Sequence, residues 1–114
     1  MTIKKLDEIL RDHDLWLNNE GGKCANLSGI NLSGMDLRYV DLRYANLSNA
    51  NLRYANLMNA NLYGANLSGA DLSGSDLSNS DLRNSDLSDV DLSGADLSNS
   101  DLTGSNLSGI NLLY

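Results

Sequence analysis

Leucine recurs at every fifth residue from Leu27 to Leu112, through 18 consecutive five-residue units without an insertion. The residue before each of these leucines is Asn or Asp, and the residue two places before it is small or apolar. The two residues after the leucine are mostly turn-forming or polar, as in Ser28-Gly29 and Ser48-Asn49. Each unit therefore has two apolar and three polar positions, in a register that a disordered chain does not keep.

This period is incompatible with one straight helix or one flat strand. In an α-helix a step of five residues rotates the leucine by about 140°, which would scatter the leucines over every face. In a flat strand successive leucines would alternate between the two faces, because five is odd. The chain must therefore be extended around each leucine and bend after it, so that stacked coils share one core.

The tandem A(D/N)LxX units of residues 25–114 resemble the pentapeptide-repeat family. This resemblance implies a right-handed, quadrilateral β-helix with four units per coil, and hence about 4.5 coils here. The five-residue period alone does not fix the number of sides. Serine at positions 28, 48, 68, 88 and 108 provides a weak repeat of 20 residues that agrees with four sides. We predict an all-β solenoid over residues 25–114.

Residues 1–24 precede the repeat and are predicted to form an α-helical cap with a short linker. Their apolar stripe has spacings of three and four residues, which is typical of an amphipathic helix. The stripe consists of Ile3, Leu6, Leu10, His13 and Leu17, widened by Ile9 and Trp16. Thr2 is a candidate N-cap, and the polar run 18–22 is a stop signal. A helix over residues 2–18 would cover the first coil.

Composition and charge narrow the range of partners. The chain has 8 Lys and Arg against 15 Asp and Glu, a formal net charge of -7, which argues against direct binding to nucleic acid or to an anionic membrane. No apolar run approaches the ~20 residues of a membrane-spanning helix. Charges interrupt the N-terminal segment where a signal peptide would be apolar. With one cysteine, Cys24, the expected location is the cytoplasm.

Acidic residues are concentrated in residues 71–114, which sum to -7, whereas residues 25–70 sum to +1. Seven of them occupy the outward position before the leucine: Asp71, Asp76, Asp81, Asp86, Asp91, Asp96 and Asp101. They either replace Asn as turn-compatible residues or offer an anionic surface to a basic partner. Family members that protect DNA gyrase are acidic rods similar to duplex DNA, so the resemblance implies a DNA mimic acting on gyrase or another topoisomerase as the alternative function.

Arginine and tyrosine replace the usual Ser-Gly pair in what we expect to be the second and third coils, with Met58 and Tyr63 close by. The replacements are Arg38, Tyr39, Arg43, Tyr44, Arg53 and Tyr54. Both residue types are enriched in protein-binding hot spots. The side chains either cover the walls or bind a partner. The second candidate contact is the C-terminal edge at Leu112, Leu113 and Tyr114, which either folds over the core or pairs two copies into a homodimer.

Nothing in the sequence indicates a catalytic, cofactor-binding or metal-binding site. His13 is the only histidine and belongs to the helix stripe, and no base accompanies the serines of the repeat. Inward hydroxyls at 75, 80, 85, 100 and 105 need partners or would each cost ~1–3 kcal/mol, so we expect residues 75–85 to be the softest coil. The predicted function is a non-catalytic protein-interaction module whose partner is not identified.

Overall fold

A computed structural model describes residues 1–112, which form one helix, α1 (Ile3–Leu17), followed by stacked coils. Isolated parallel β-bridges join each residue before a leucine to the residue 20 positions later, from Asn26↔Asn46 to Asp91↔Asn111. One coil therefore holds four five-residue units, the number that the resemblance implied. Within the described residues each bridged unit contributes a single bridge residue, so no strand longer than this one residue forms around the leucine.

Backbone hydrogen bonds follow the same repeat. Between coils, the leucine N–H donates to the carbonyl 19 residues later, as from Leu27 to Asn46 at 2.7 Å. Within a coil, the N–H three residues after a leucine donates back to its carbonyl, as from Ile30 to Leu27 at 3.3 Å. The second residue after each leucine has φ between 57° and 75° at every corner from Gly29 to Gly109. A β-turn with a left-handed third residue thus redirects the chain four times per coil.

The coils have four walls, which we number in chain order. The first wall contains the units of Leu27, Leu47, Leu67, Leu87 and Leu107, and the second those of Leu32, Leu52, Leu72, Leu92 and Leu112. The third wall contains Leu37, Leu57, Leu77 and Leu97, and the fourth Leu42, Leu62, Leu82 and Leu102. From Leu27 to Leu92 these leucines are at most 3% exposed. The core is therefore one continuous column.

Serine hydroxyls that point into this column are satisfied. Ser75 Oγ is 2% exposed and donates to the carbonyl of Leu72 at 2.6 Å. The same bond to the preceding leucine is made by Ser80, Ser85, Ser100 and Ser105. The expectation that residues 75–85 are the softest coil rested on unpaired hydroxyls, so the structure removes its physical basis.

Helix α1 packs on the first coil. Thr2 caps it by accepting a hydrogen bond from the Lys5 N–H at 3.1 Å. Leu6 and His13 are its buried side chains, whereas Ile3 is 70% exposed. The predicted stripe is therefore used only in part, since the end of α1 that carries Ile3 is not covered. His13 Nδ1 accepts a hydrogen bond from the Ala25 N–H at 2.9 Å, which joins the cap to the start of the repeat.

Candidate interaction surface

Three tyrosines, termed the corner tyrosines, stand where the backbone is left-handed. Tyr39, Tyr44 and Tyr54 have φ of 61°, 65° and 57°. All other described corners of the repeat carry Gly, Asn or Asp, which tolerate this conformation best. The three side chains are 72%, 52% and 68% exposed. Burial therefore offsets little of the backbone strain at these corners.

Tyr44 belongs to a row of contacts that runs from the cap down the fourth wall. Its ring meets Trp16 edge-on, with 6.4 Å between centroids, and meets Tyr63 in the same way at 5.8 Å. The Arg83 guanidinium lies over Tyr63, 5.2 Å from the ring centroid. Asn84 donates a side-chain hydrogen bond to the Tyr63 hydroxyl at 2.8 Å. Trp16, Tyr44, Tyr63 and Arg83, termed the aromatic row, connect α1 with three coils.

Two open grooves flank the aromatic row. The upper one, of about 510 Å³, lies between the C-terminal end of α1 and Tyr44. It is lined by Trp16, Leu17, Asn19, Gly21, Gly22 and Tyr44. The lower one, of about 280 Å³, is lined by Arg43, Tyr44, Asn61, Tyr63, Asp81 and Arg83. The Tyr44 side chain therefore lies between two grooves and lines both of them.

Most arginines of the repeat are held against the wall by an aspartate two residues earlier. These ion pairs are Arg38–Asp36 at 2.8 Å, Arg43–Asp41 at 2.8 Å and Arg83–Asp81 at 2.7 Å. The hydrogen bonds from Arg38 lower the pKa of Asp36 to about 2. Arg53 differs because Asn51 stands two residues before it. Its guanidinium makes no hydrogen bond to the described residues and lies 3.7 Å from the Asp71 carboxylate.

The Arg-Tyr pairs do not form one patch, and they lie in the first and second coils instead of the second and third. Arg38 and Tyr39 belong to the third wall, Arg43 and Tyr44 to the fourth, and Arg53 and Tyr54 to the second. A groove of about 570 Å³ on the second wall is lined by Arg53, Tyr54, Asp71, Ser73, Gly74, Asp91, Ser93 and Gly94. The fold thus brings Arg43 and Tyr44 together with Tyr63 and separates them from the other two pairs.

The outward aspartates serve the local turn as asparagine does. Asp86 Oδ1 accepts hydrogen bonds from the Ser88 hydroxyl at 2.6 Å and the Ser88 N–H at 3.0 Å, and these bonds lower the pKa of Asp86. Asn66, in the same column, makes the same two bonds to Ser68. The turn uses only Oδ1. Asp can therefore replace Asn in the turn and still contribute its negative charge to the outer surface. The two interpretations of the outward aspartates are compatible.

Stacking of the aspartates leaves one wall without compensating charge. The bridges pair Asp71 with Asp91, Asp76 with Asp96 and Asp81 with Asp101. On the second and fourth walls, Arg53 lies 3.7 Å from Asp71 and Arg83 lies 4.0 Å from Asp101. On the third wall no described cation forms an ion pair with Asp76 or Asp96. The third wall therefore presents a stacked pair of aspartates without an ion pair, and Asp86 and Asp89 on the first wall likewise form no ion pair with the described residues.

Cys24 and the acidic groups show no reactive arrangement. The Cys24 thiol donates to the Tyr44 carbonyl at 3.3 Å, and burial raises the pKa of this thiol, which opposes thiolate formation. Across residues 1–112 no group of three or more His, Cys, Asp or Glu side chains is arranged to hold a metal ion. Within the same range no helix is both long and apolar enough to cross a bilayer.

The last coil is more open than the others. Leu107 is 39% and Leu112 is 52% exposed, whereas the repeat leucines from Leu27 to Leu92 are buried. Leu113 and Tyr114, which complete the predicted edge, lie outside the described residues. The described part of this edge thus presents apolar side chains to solvent.

Sequence reasoning left Trp16 and Arg83 out of the candidate surface. Trp16 was assigned to the helix stripe, and Arg83 lies 40 residues after Arg43 in sequence. The available signal was the interval of 20 residues, which puts Arg43, Tyr63 and Arg83 at one position of successive fourth-wall units. The four-unit coil that the resemblance implied was sufficient to place these three residues in one column.

Residues 25–112 match the sequence model of pentapeptide repeats, with eight copies in overlapping segments 25–53, 41–79 and 75–112. No curated protein matches the chain. The sequence match covers the stacked coils described above.

Two crystal structures extend the comparison. HetL, a pentapeptide repeat protein involved in heterocyst differentiation regulation from the cyanobacterium Nostoc sp. strain PCC 7120, is 41% identical over 75% of this chain, with a TM-score of 0.72. This chain spans only 39% of the HetL structure. The pentapeptide repeat protein alr5209 from Nostoc PCC 7120 is 29% identical, with a TM-score of 0.76, over 97% of this chain and 95% of its own. The similarity to alr5209 therefore includes α1.

Proposed function

This chain belongs to the pentapeptide-repeat family, and from that premise we propose that it acts without catalysis, as a rigid scaffold that binds a protein partner. The proposed contact surface is the aromatic row, which includes the corner tyrosine Tyr44. The scaffold would be a right-handed quadrilateral β-helix capped by α1, as family membership implies.

The observation that carries this proposal is the left-handed backbone of Tyr39, Tyr44 and Tyr54. A non-glycine residue in this conformation costs roughly 1–2 kcal/mol. Five corners of the same repeat use Asn, which would relieve part of that strain without changing the coil. Backbone strain that folding does not require is concentrated at functional sites. The exposed tyrosines are therefore best explained by a contact outside the chain.

The aromatic row is suited to such a contact because it is already ordered. Its rings support one another from Trp16 to Tyr63, and Arg83 is held by both Tyr63 and Asp81. Side chains that are fixed before binding lose little conformational entropy on association. Tyr, Trp and Arg are also the residue types most enriched in binding hot spots. The row thus combines suitable chemistry with a low entropic cost.

Affinity capture with matched variants tests the proposal. The row variant is Tyr44→Asn with Tyr63→Ser, which introduces residues that other units carry at the same positions. The control is Met58→Ser, at the position equivalent to Tyr63 but on the third wall. Each immobilised protein is exposed to an extract of its source cells, and retained proteins are quantified by mass spectrometry after circular dichroism has verified folding.

We expect a protein that the wild type and the Met58→Ser control retain and that the row variant loses at least tenfold. Equal retention by all three proteins would show that the aromatic row is not the contact surface.

An acidic mimic of DNA acting on gyrase is the second candidate, favoured by the uncompensated Asp76 and Asp96 on the third wall. Its surface would need a regular series of charges along the axis, as in duplex DNA. Two coils supply only a short series, which is why this candidate ranks second. Gyrase supercoiling should be inhibited by the wild type but not by Asp76→Asn with Asp96→Asn. No inhibition at tens of micromolar wild-type protein eliminates the candidate.

A further inference from the structure

His13 lies at the interface between α1 and the first coil. Its side chain is 0% exposed, and its ring stacks on Trp16 with 5.5 Å between centroids and 23° between planes. Its Nδ1 accepts a hydrogen bond from the Ala25 N–H at 2.9 Å. Ala25 is the first residue of the repeat, so this bond ties the cap to the edge of the solenoid.

The direction of this bond fixes the protonation state of the ring. A nitrogen that accepts a hydrogen bond carries no proton, so the imidazole is neutral and its proton is on Nε2. Nε2 is buried and has no hydrogen-bond partner among the described residues. A second proton would have to bind Nδ1, where it would face the Ala25 N–H and break the bond to it. The docked geometry therefore admits only the neutral ring.

The surrounding charges do not stabilise the protonated imidazole enough to offset its burial. The charged groups that face His13 are Asp14 on its own helix, and Asp41 and Arg43 on the first coil. Asp41 already accepts hydrogen bonds from the Arg43 guanidinium at 2.8 and 2.9 Å. Burial is the largest influence and lowers the pKa of His13, and it outweighs the Arg43 backbone, Asp41 and Asp14, which raise this pKa. An imidazolium would thus be buried beside an arginine, with its nearest coil carboxylate already occupied.

We propose that His13 makes the docking of α1 pH-dependent, so that the cap is held by the neutral imidazole and released by protonation. His13 is one of two buried side chains of α1, the other being Leu6, while Ile9 and Leu10 pack only partly buried against the core. Loss of the His13 contact would therefore remove a large share of the buried attachment. This inference does not depend on the proposed function. Release would nevertheless separate Trp16 from Tyr44 and divide the aromatic row.

Amide hydrogen exchange in the full chain, followed by NMR between pH 7 and pH 5, tests the proposal. The Ala25 amide reports on the cap, and the Leu57 amide, bonded to the Asp76 carbonyl at 2.7 Å, is the core reference. After correction for the intrinsic exchange rate, the protection of Ala25 should fall about tenfold for each pH unit below the onset of His13 titration. Protection of Leu57 should not change.

The matched control is His13→Asn, whose side-chain carbonyl can accept the Ala25 bond but does not titrate in this range. We expect its Ala25 protection to be independent of pH. An equal loss of protection in this variant would overturn the proposal. If the variant does not fold, the wild-type measurement still tests the proposal. Ala25 protection that stays constant while the His13 ring resonances titrate would also overturn the proposal.

Discussion

At the scale of single residues, the corner position governs which side chains the repeat tolerates. Each described corner residue is left-handed, and at corners such as Tyr44 and Tyr54 the side chain projects over the corner of the next coil. The Tyr44 ring covers Gly64 and the Tyr54 ring covers Gly74, where an added Cβ would lie 2.7 and 2.5 Å from the ring atoms. Gly34 has no such neighbour within 4 Å. Corner glycines with the same backbone conformation therefore differ in whether a side chain of the neighbouring coil covers them.

Replacing Tyr39 by Asn should stabilise the protein. Asn adopts the left-handed conformation more readily, and Tyr39 is 72% exposed, so little packing is lost. We expect the free energy of unfolding in urea to rise by about 0.5–1 kcal/mol. Tyr44→Asn is the comparison, because it relieves the same strain but loses the ring contacts to Trp16 and Tyr63. A loss of stability in Tyr39→Asn would indicate that this ring packs on the wall more than its exposure suggests.

Gly64→Ala should destabilise the protein more than Gly34→Ala. The two glycines have nearly equal φ, 66° and 68°, so the backbone strain of an alanine is the same at both. Only at Gly64 does the new Cβ displace a ring, that of Tyr44. Loss of its aromatic contacts should add about 0.5–1.5 kcal/mol to the difference in unfolding free energy. Equal effects of the two substitutions would show that the Tyr44 ring moves without loss.

At the scale of the five-residue unit, much of the fold could be predicted from the sequence. The turn position, the inward leucine and the outward Asn or Asp follow from residue type and period, and the structure confirms them at units such as that of Leu27. The hydrogen-bond partners of the inward serines could not be predicted from the sequence. Ser75 donates to the carbonyl of Leu72, at the start of the same turn, and only the folded turn brings these two groups together. That geometry appears only once the corner is built.

Acid unfolding tests the role of the outward aspartates. Bonds from Ser88, Ser93 and Ser98 lower the pKa of Asp86, Asp91 and Asp96 below the ordinary 3.8. Their stabilising effect is therefore complete above about pH 3.8 and is lost as the pH falls through the lowered values. Replacing all three by Asn keeps the turns, as Asn66 shows.

The triple Asn variant should therefore unfold at lower pH than the wild type in a circular dichroism titration. Its stability to urea at pH 7 should remain similar. An unchanged acid midpoint would mean that these carboxyls have the same pKa in the folded and unfolded chain.

At the scale of the whole molecule, the candidate surface could be predicted only in part. Residue types identified Arg43 and Tyr44, and the four-sided coil that the resemblance implied is sufficient to distribute the Arg-Tyr pairs over three walls. The contribution of Trp16 depends on how α1 lies on the first coil, which no periodicity encodes. Long-range placement of this kind follows from packing between elements that are distant in sequence.

We propose that the exposed leucines of the last described coil pair two copies of this chain. Leu107 and Leu112 are exposed there, and a two-fold contact would bury both with one self-complementary patch. We expect light scattering at micromolar concentration to give the mass of two chains for the wild type. Leu107→Glu should give one chain, whereas Leu42→Met, in the buried part of the column, should leave the mass unchanged. A single-chain mass for the wild type would exclude this dimer.

The coil that closes after 20 residues also constrains how such a protein can change its length in evolution. Insertion of one residue into the extended part of a unit would disturb the inward leucine of that unit, whereas insertion of a complete five-residue unit would keep every leucine inward. A duplicated unit would keep the core intact but rotate everything after it by a quarter turn about the axis. Between Arg53 and Asp76, one such duplication would move the acidic columns to neighbouring walls without altering any side chain. The angle about the axis between the Arg-Tyr pairs and the acidic columns would therefore change by a quarter turn for each duplicated unit.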